Sequence, residues 1–504
     1  MKLPENAQMR QADQYTINTI GIPGIVLMEK AAEQIAFHIS SELKNTGGKT
    51  VLFVCGKGNN GGDGFAAARI LLGKGINSEI MLLADKSQIT GDAKINLDIA
   101  EKLGIKIFGL ADCNLVEKIR EFDLVADGIF GTGFSGDVKE PYKTVIDAIN
   151  ENAKYVLSID IPSGVSGDTG EISGTAVKAD ATVTLACPKP GLFLFPGRLN
   201  TGKLFTADIG IPDFVIDSLG VKFNALTISE AKEILPKRKA RSHKGTYGKL
   251  FVIAGSETMA GAAYFTAKAA YETGSGLVYS CIPKDILPVI QTLIPEAVEI
   301  IADNTESFLS RLEEADCAVI GPGLGKGNYQ KELILDSLEK FKDKPVLIDA
   351  DGLNNLAKNL SALKDRSIPA IITPHPAEMM RLTGIPTGEI LKDTVNTAVN
   401  FAKEYSTVVV LKDSATVIAS PEGEIYINTT GNSALAKGGS GDVLSGIIGG
   451  LLSQGLPPFE AAYLGVFIHG MTGDIARDEK GARSVSASYL CDSIYKALMR
   501  IENS

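Results

Sequence analysis

The chain lacks the pairings that announce a metal or redox protein. Its 504 residues hold six cysteines (Cys55, Cys113, Cys187, Cys281, Cys317 and Cys491), and no two are close enough for a CxxC pair. That spread suits a reducing compartment. The four histidines (His38, His243, His375 and His469) form no HExxH motif. No run of about 18 apolar residues occurs, so no membrane span is expected. Residues 1–10 are polar and carry Glu5, so no secretory signal is expected either. Basic charge is not in excess. With 50 Lys+Arg against 60 Asp+Glu the net is −10, which disfavours a general nucleic-acid binder. Low-complexity tracts and internal repeats are also missing. A cytoplasmic protein with small-molecule partners, no nucleic acid and no membrane is the expectation.

What is present is apolar sequence and glycine. Hydrophobic residues make up 44%, enough for two or three ordinary cores at this length. Glycine is 53 of 504, above the usual ~7%, and it gathers at the ends of apolar runs. Residues 9–44 read as helical. β-type runs follow at 50–55, 79–83, 124–126, 155–159 and 181–185, mostly separated by helical stretches. A second series begins at Gly248, with runs at 250–254, 317–320, 345–348, 370–372 and 407–411. Helices are then expected from about Asp442 to Leu452 and over 461–476. This alternation predicts two α/β domains in tandem, each with a parallel sheet. The basic stretch 236–244 (PKRKARSHK) is the best linker candidate. Cys55 and Cys317, inside or beside apolar strands, read as small core residues.

In the first half, CGKGNNGGDG (residues 55–64) follows a strand and opens a helix expected from Phe65. Gly56, Gly58 and Gly61 satisfy GxGxxG, whose glycines admit a phosphate to a helix N-terminus. A dinucleotide dehydrogenase needs an acid at the end of the next strand, yet Glu79 stands at its start. The oxidoreductase reading therefore weakens. Asp127 and Asp160 stand at two further strand ends, leading into GTGFSGD (131–137) and IPSG (161–164). Ligands of open α/β sheets bind beyond such ends, so these loops with Asp63 should share one pocket.

In the second half, KGGSGD (437–442) precedes an apolar helix. Consecutive glycines free amides to line an anion, and the helix dipole favours negative charge. Asp442 at the helix start is placed to take a proton from a hydroxyl facing that hole. This suits phosphoryl transfer to an alcohol, where positioning and charge neutralisation dominate. An N-cap role for Asp442 is the simpler alternative.

GKGNNGGDG, ADGIFGTGFSGD and SIDIPSGVSGDTG together resemble the NAD(P)HX epimerases, the YjeF N-terminal family. The resemblance implies a Rossmann-like three-layer sandwich over 1–220. It implies substrate contacts at Asn59, Asn60, Gly61, Gly62 and Asp63, and at Gly131, Thr132, Gly133, Phe134, Ser135, Gly136 and Asp137. It further implies contact and proton transfer at Asp160, and a potassium ion at Asn60, Asp127 and Ser163. The KGGSGD loop resembles the anion hole of ribokinase-like kinases. With GSETMAGAAYFTAKAAYETGSGLV, VIGPGLG, LIDADGLNNL, TPHPAEMMRL and VLKDSATVI it is similar to the NAD(P)H-hydrate dehydratases. A ribokinase-like domain over 225–504 is implied. Ala262, Gly323 and His375 would then contact the hydrate and Asp442 would be the base. Lys412, Asp413, Ser414, Ala415, Thr416 and Gly441 would hold ADP or ATP with magnesium. Asp349 and Asp351 are further candidates for metal or substrate.

Both halves together resemble the fused bifunctional NAD(P)H-hydrate repair enzymes. The implied chemistry is R/S epimerisation of NADHX and NADPHX in the first half. The second half would phosphorylate the S form from ADP, releasing AMP, and expel phosphate to restore NAD(P)H. A homo-oligomer is expected. The alternatives are a ribokinase-like vitamin or sugar kinase fused to a nucleotide-binding domain, and a non-catalytic nucleotide-binding scaffold.

Overall fold

The computed structural model describes residues 1–134, 136–302, 305–364 and 366–504, and no side chain is described at 305–307 or 309. The chain divides into two compact units, Lys2–Phe223 and Asn224–Ser504.

In the first unit the strands are β1 (Thr50–Cys55), β2 (Asn77–Leu82), β3 (Lys106–Gly109), β4 (Leu124–Gly128), β5 (Val156–Ile159), β6 (Ala181–Leu185) and β7 (Lys203–Ala207). They form one sheet in the order β3-β2-β1-β4-β5-β6-β7, and every pairing is parallel. The order reverses between β1 and β4, which opens a crevice at their carboxyl ends. Successive residues of β1 alternate between two cores. Val51, Phe53 and Cys55 join one, and Leu52 and Val54 the other. Helices cover both faces, so strands such as VLFVC carry no polar side. The first core takes side chains from α1 (Asn6–Tyr15), α2 (Gly24–Thr46), α3 (Asn59–Gly73) and α4 (Gly91–Lys102). The second takes Val145, Ile146 and Ile149 of α5 (Tyr142–Asn152). This is the expected three-layer α/β sandwich.

Two local expectations change. The helical reading of 9–44 resolves into α1, a wider turn over Thr16–Ile20, and α2. The break falls where Gly21 takes φ +88° and Pro23 can supply no amide hydrogen. Helix α3 begins at Asn59 rather than Phe65, so NNGGD is its first turn.

The second unit contains β8 (Lys249–Ile253), β9 (Leu277–Ile282), β10 (Val298–Ile301), β11 (Cys317–Ile320), β12 (Val346–Ile348), β13 (Ile371–Ile372), β14 (Val408–Leu411), β15 (Val417–Ala419) and β16 (Ile425–Ile427). Their order is β10-β9-β8-β11-β12-β13-β14-β15-β16. Pairing is parallel as far as β14 and antiparallel beyond it. Helices α6 (Ala260–Thr273), α7 (Pro376–Thr383), α8 (Ser440–Ser453) and α9 (Pro458–Lys480) bear on the site. Helix α8 lies hard against α6. A Cβ at Gly446 would meet the Thr266 carbonyl at 2.3 Å, and one at Gly450 would meet the Ala270 carbonyl at 2.9 Å. The basic stretch 236–244 belongs to this unit, where Arg238 stacks on Tyr247 at 3.8 Å and donates to the Gly274 carbonyl. Among the described residues no helix is long and apolar enough to cross a membrane.

Candidate active sites

The first site lies beyond the carboxyl ends of β1, β4, β5 and β6, where a cavity of about 630 Å³ opens. That volume suits a small organic ligand. Its floor is built by close backbone approaches. A Cβ at Gly56 would meet the Ile129 carbonyl at 2.2 Å, and one at Gly61 would meet the Gly56 carbonyl at 2.2 Å. These glycines let β1, α3 and the chain after β4 touch. Asn59, Asn60 and Asp63 of the first turn of α3 line the cavity, as do Gly131, Thr132, Gly133, Phe134 and Asp160. Gly61, Gly62, Gly136 and Asp137 are not on its wall. Ser135 lies outside the described residues.

Asp160 ends β5 with φ +67°, and the amide of Ile161 donates to the Ile159 carbonyl at 2.9 Å. That three-residue reversal is a γ-turn, strained for any residue with a Cβ. The neighbouring strand ends the same way. Ala186 has φ +61°, and the amide of Cys187 donates to the Leu185 carbonyl at 2.8 Å. Between the two turns sits Lys189, which is 1% exposed. Its ammonium is ion-paired with Asp160 Oδ1 and donates to Thr184 Oγ1 (3.1 Å) and the Leu185 carbonyl (2.9 Å). Asp160 Oδ1 also accepts the Leu185 amide at 3.0 Å. Sequence reasoning did not single out Lys189, because a lone lysine 29 residues downstream of its partner leaves no spacing signal.

Asp63 is buried, and that burial, reinforced by Asp160 and Asp13, holds its carboxyl well above the ordinary range. Asp127 is fully buried within β4. It accepts from Ser163 Oγ (2.6 Å), the Ser163 amide (2.9 Å), Ser158 Oγ (2.8 Å) and the Ile129 amide (3.2 Å). Burial raises it and these hydrogen bonds pull it back. Asn60 Nδ2 donates to the carbonyls of Phe130 (2.8 Å) and Ile159 (3.1 Å), and the Phe130 amide donates to Ser163 Oγ at 2.9 Å. Asn60, Asp127 and Ser163 are thus drawn together around Phe130.

The second site forms at the carboxyl ends of β8, β11, β12 and β14. Gly255 and Gly321 tie β8 to β11, the Gly255 amide donating to the Pro322 carbonyl at 2.8 Å. Gly323, with φ +61°, sits so close to α6 that its Cβ would meet Ala262 Cβ at 2.6 Å. Thr266 of the same helix donates to the Asp442 carbonyl at 3.3 Å. Helix α8 starts after Gly439, whose φ of +88° no larger residue adopts readily. Asp442 is therefore the third residue of the helix rather than its N-cap.

Lys412, at the end of β14, extends its ammonium to Asp349 Oδ1 (2.9 Å), and Ser445 of α8 donates to Asp349 Oδ2 (2.8 Å). A Cβ at Gly441 would stand 3.5 Å from Lys412 Nζ. Burial, reinforced by Asp349, pushes Asp442 up to about 7, against the pull of Lys412. Burial also works against the charge on Lys412, but Asp349 and Glu378 outweigh it and the ammonium is held above its usual range. His375 caps α7, its Nδ1 accepting the amides of Ala377 (3.1 Å) and Glu378 (3.3 Å). The Lys412 amide donates to the Pro374 carbonyl at 2.8 Å, which sets that turn beside the cluster. Asp413, Ser414, Ala415 and Thr416 form the connection from β14 to β15. Asp351 accepts the Gly325 amide at 3.0 Å. His469, also unpredicted as a site residue, meets Ser440 Oγ at 3.1 Å, and burial lowers it to about 4.

Comparison with known proteins fits this two-site plan. Residues 24–191 match the family model described as YjeF-related protein N-terminus, and residues 250–496 match that of NAD(P)H-hydrate dehydratase. A bifunctional NAD(P)H-hydrate repair enzyme from Moorella thermoacetica is 39% identical, the match covering 100% of this chain and 97% of the relative. One from Escherichia coli is 34% identical over 98% of this chain and 93% of its own. A ribokinase-like superfamily protein from Enterococcus faecalis aligns with a TM-score of 0.52 at 25% identity, covering 56% of this chain and 98% of its own. The chain belongs to the family of bifunctional NAD(P)H-hydrate repair enzymes.

Proposed function

We propose that the first unit interconverts the R and S hydrates of NADH and NADPH in the 630 Å³ cavity. The second unit phosphorylates the hydroxyl of the S hydrate from ADP, releasing AMP, and phosphate then leaves to restore the double bond. Phosphate is a far better leaving group than hydroxide, which is the reason to spend a phosphoanhydride. The observation that carries the dehydratase half is Asp442. It sits in the first turn of a glycine-fronted helix, near neutral pKa, beside the Lys412 ammonium. A carboxyl poised near the working pH is suited to take the hydroxyl proton. Lys412 and the open amides at Gly441 suit the transferring phosphoryl group, with Asp413 to Thr416 toward the nucleoside. Asp349, facing the same helix mouth, suits magnesium in charge and donor type, and the ion would neutralise charge on the transferring phosphoryl group. Ala262, Gly323 and His375 would contact the hydrate.

In the first site, Asp160 is the proton-transfer group and Lys189 holds its carboxylate in place. The donors at Asn60, Asp127, Ser163 and the Phe130 carbonyl fit a potassium ion. All carry hard oxygens, and among the described residues no basic side chain pairs with the buried Asp127. The ion would fix the turn after β4 against α3.

The test is recovery of reduced-nicotinamide absorbance from mixed hydrates, with ADP and ATP supplied separately. Asp442→Ala should abolish dehydration and spare epimerisation, and Asp160→Ala should do the reverse. A stable phosphoester in place of inorganic phosphate would favour the small-molecule kinase instead.

A further inference from the structure

The cavity of the first unit is closed on one side by α1. Met9, Arg10 and Asp13 of α1, spaced to share a helix face, line it together with Ile17 of the turn that follows. Arg10 pins the helix by donating Nη1 to the Thr132 carbonyl at 2.9 Å. One turn on, Asp13 presents a half-buried carboxyl to the same space. It is not among the hydrogen-bonded or ion-paired side chains of the described residues.

The groups around it are unequal. Asp160 is locked in an ion pair with Lys189. Asp63 is buried, and that burial, with the charges of Asp160 and Asp13, raises its carboxyl well above the ordinary range. Asp92 lies against Gly24, where an added Cβ would meet its Oδ2 at 2.5 Å. Lys57 on the cavity wall is exposed, as is Arg10. Asp13 is pushed up to about 6 by burial, against the pull of Lys189 and with the push of Asp160. One ion-paired carboxylate and one free carboxyl in a single cavity is the asymmetry that separates an acid from a base.

We propose that Asp13 is the second proton-transfer group of the epimerase site, working with Asp160. The inference rests on the epimerase reading given above. In this step the C–O bond at the hydroxyl-bearing ring carbon breaks and re-forms on the other face. Asp13 gives its proton to the leaving hydroxyl, and the ring nitrogen's lone pair moves in to form a carbon–nitrogen double bond. Water then adds to the opposite face, the electron pair returns to nitrogen, and Asp160 takes the proton that the water sheds. Solvent carries that proton back from Asp160 to Asp13, so no net proton or electron is consumed. The reverse epimerisation exchanges the two roles.

The experiment follows R/S interconversion by the full-length enzyme without nucleotide, so that dehydration is silent. In wild type the rate should fall tenfold per pH unit above an inflection near 6. Asp13→Asn should lower the rate by about 100-fold or more and flatten that limb, with hydrate binding within a few-fold of wild type. Asp13→Glu should keep the limb at a reduced rate. An active wild type with an equally active Asp13→Asn variant, or an Asp13→Glu variant that loses the limb, overturns the proposal alone. A wild type that does not interconvert the hydrates overturns the epimerase reading and this proposal with it.

Discussion

Replacing Asp349 by Asn should move the acid limb of the dehydratase to lower pH. Asp442 stands at about 7 because of burial and the adjacent Asp349 charge, while Lys412 pulls the other way. Lys412 is itself engaged by Asp349 at 2.9 Å. The Asn variant removes the like charge and frees the ammonium to act on Asp442, so both changes have the same sign. A close charge is worth about 1–3 units, and burial persists, so a fall of about 1–2 units is expected. At pH 6 roughly a tenth of Asp442 is ionised in wild type. In the variant roughly half to nine-tenths would be, a rise of about five- to tenfold relative to each enzyme's own plateau. The assay is kcat/KM for S hydrate against pH, which reports free-enzyme ionisation. The plateau is free to fall, since Asp349 also faces the phosphate mouth; the position of the limb is the readout. A limb that stays near 7 or moves to higher pH would refute the assignment of Asp442 as the base.

Other outcomes follow from the same geometry. Lys189→Met should cut epimerisation at least 100-fold while dehydration stays within twofold, because Asp160 loses its ammonium and the second site is untouched; interconversion and dehydration assays on one preparation decide it. Asp442→Asn should raise the melting temperature of the second unit above pH 7. Its folded pKa lies above the unfolded carboxylate value, so ionisation opposes folding at high pH, and the gain should fade toward pH 4; calorimetry at pH 5 and 8 would check the sign. Gly61→Ala should destabilise the first unit by about 1–3 kcal/mol, since the new methyl would lie 2.2 Å from the Gly56 carbonyl; urea unfolding measures it. Exchanging potassium for a bulky organic cation should slow epimerisation and leave the second site active.

The central strands were legible because both faces are buried and the residues are almost wholly apolar, as in VLFVC and VVVL. Edge strands were not. In β3 (KIFG) and β7 (KLFTA) most residues are partly or fully exposed, so no apolar run marks them. Strands β15 and β16 are three residues each, too short for a periodic signal. LVYSCI in β9 is apolar enough to read, but its leading residues were absorbed into the glycine motif before it. In the sites, Asp442 stood out as a candidate because it directly follows a glycine, and Asp160 because it stands at a strand end leading into IPSG. Lys189 and Asp13 did not, since each reaches its cavity through tertiary packing from an element with no special composition. The start of α3 at Asn59 was obscured by glycines that sequence reading assigns to a loop; here packing so close that a Cβ added at Gly61, Gly62 or Gly64 would lie 2.2–2.8 Å from its nearest neighbour outweighs helix propensity.

The left-handed backbone at Asp160 has an evolutionary corollary. Holding a residue with a side chain in that conformation costs about 1–3 kcal/mol, a burden that glycine would not carry. Changing Asp160 alone would strand a buried lysine charge, so relief requires a paired change such as Asp160→Gly with Lys189→Met. A lineage released from selection on this half of the molecule would gain robustness by that double step. Finding the two positions altered together in a descendant, with the other unit's glycine mouth intact, would mark the loss of one activity and the survival of its neighbour.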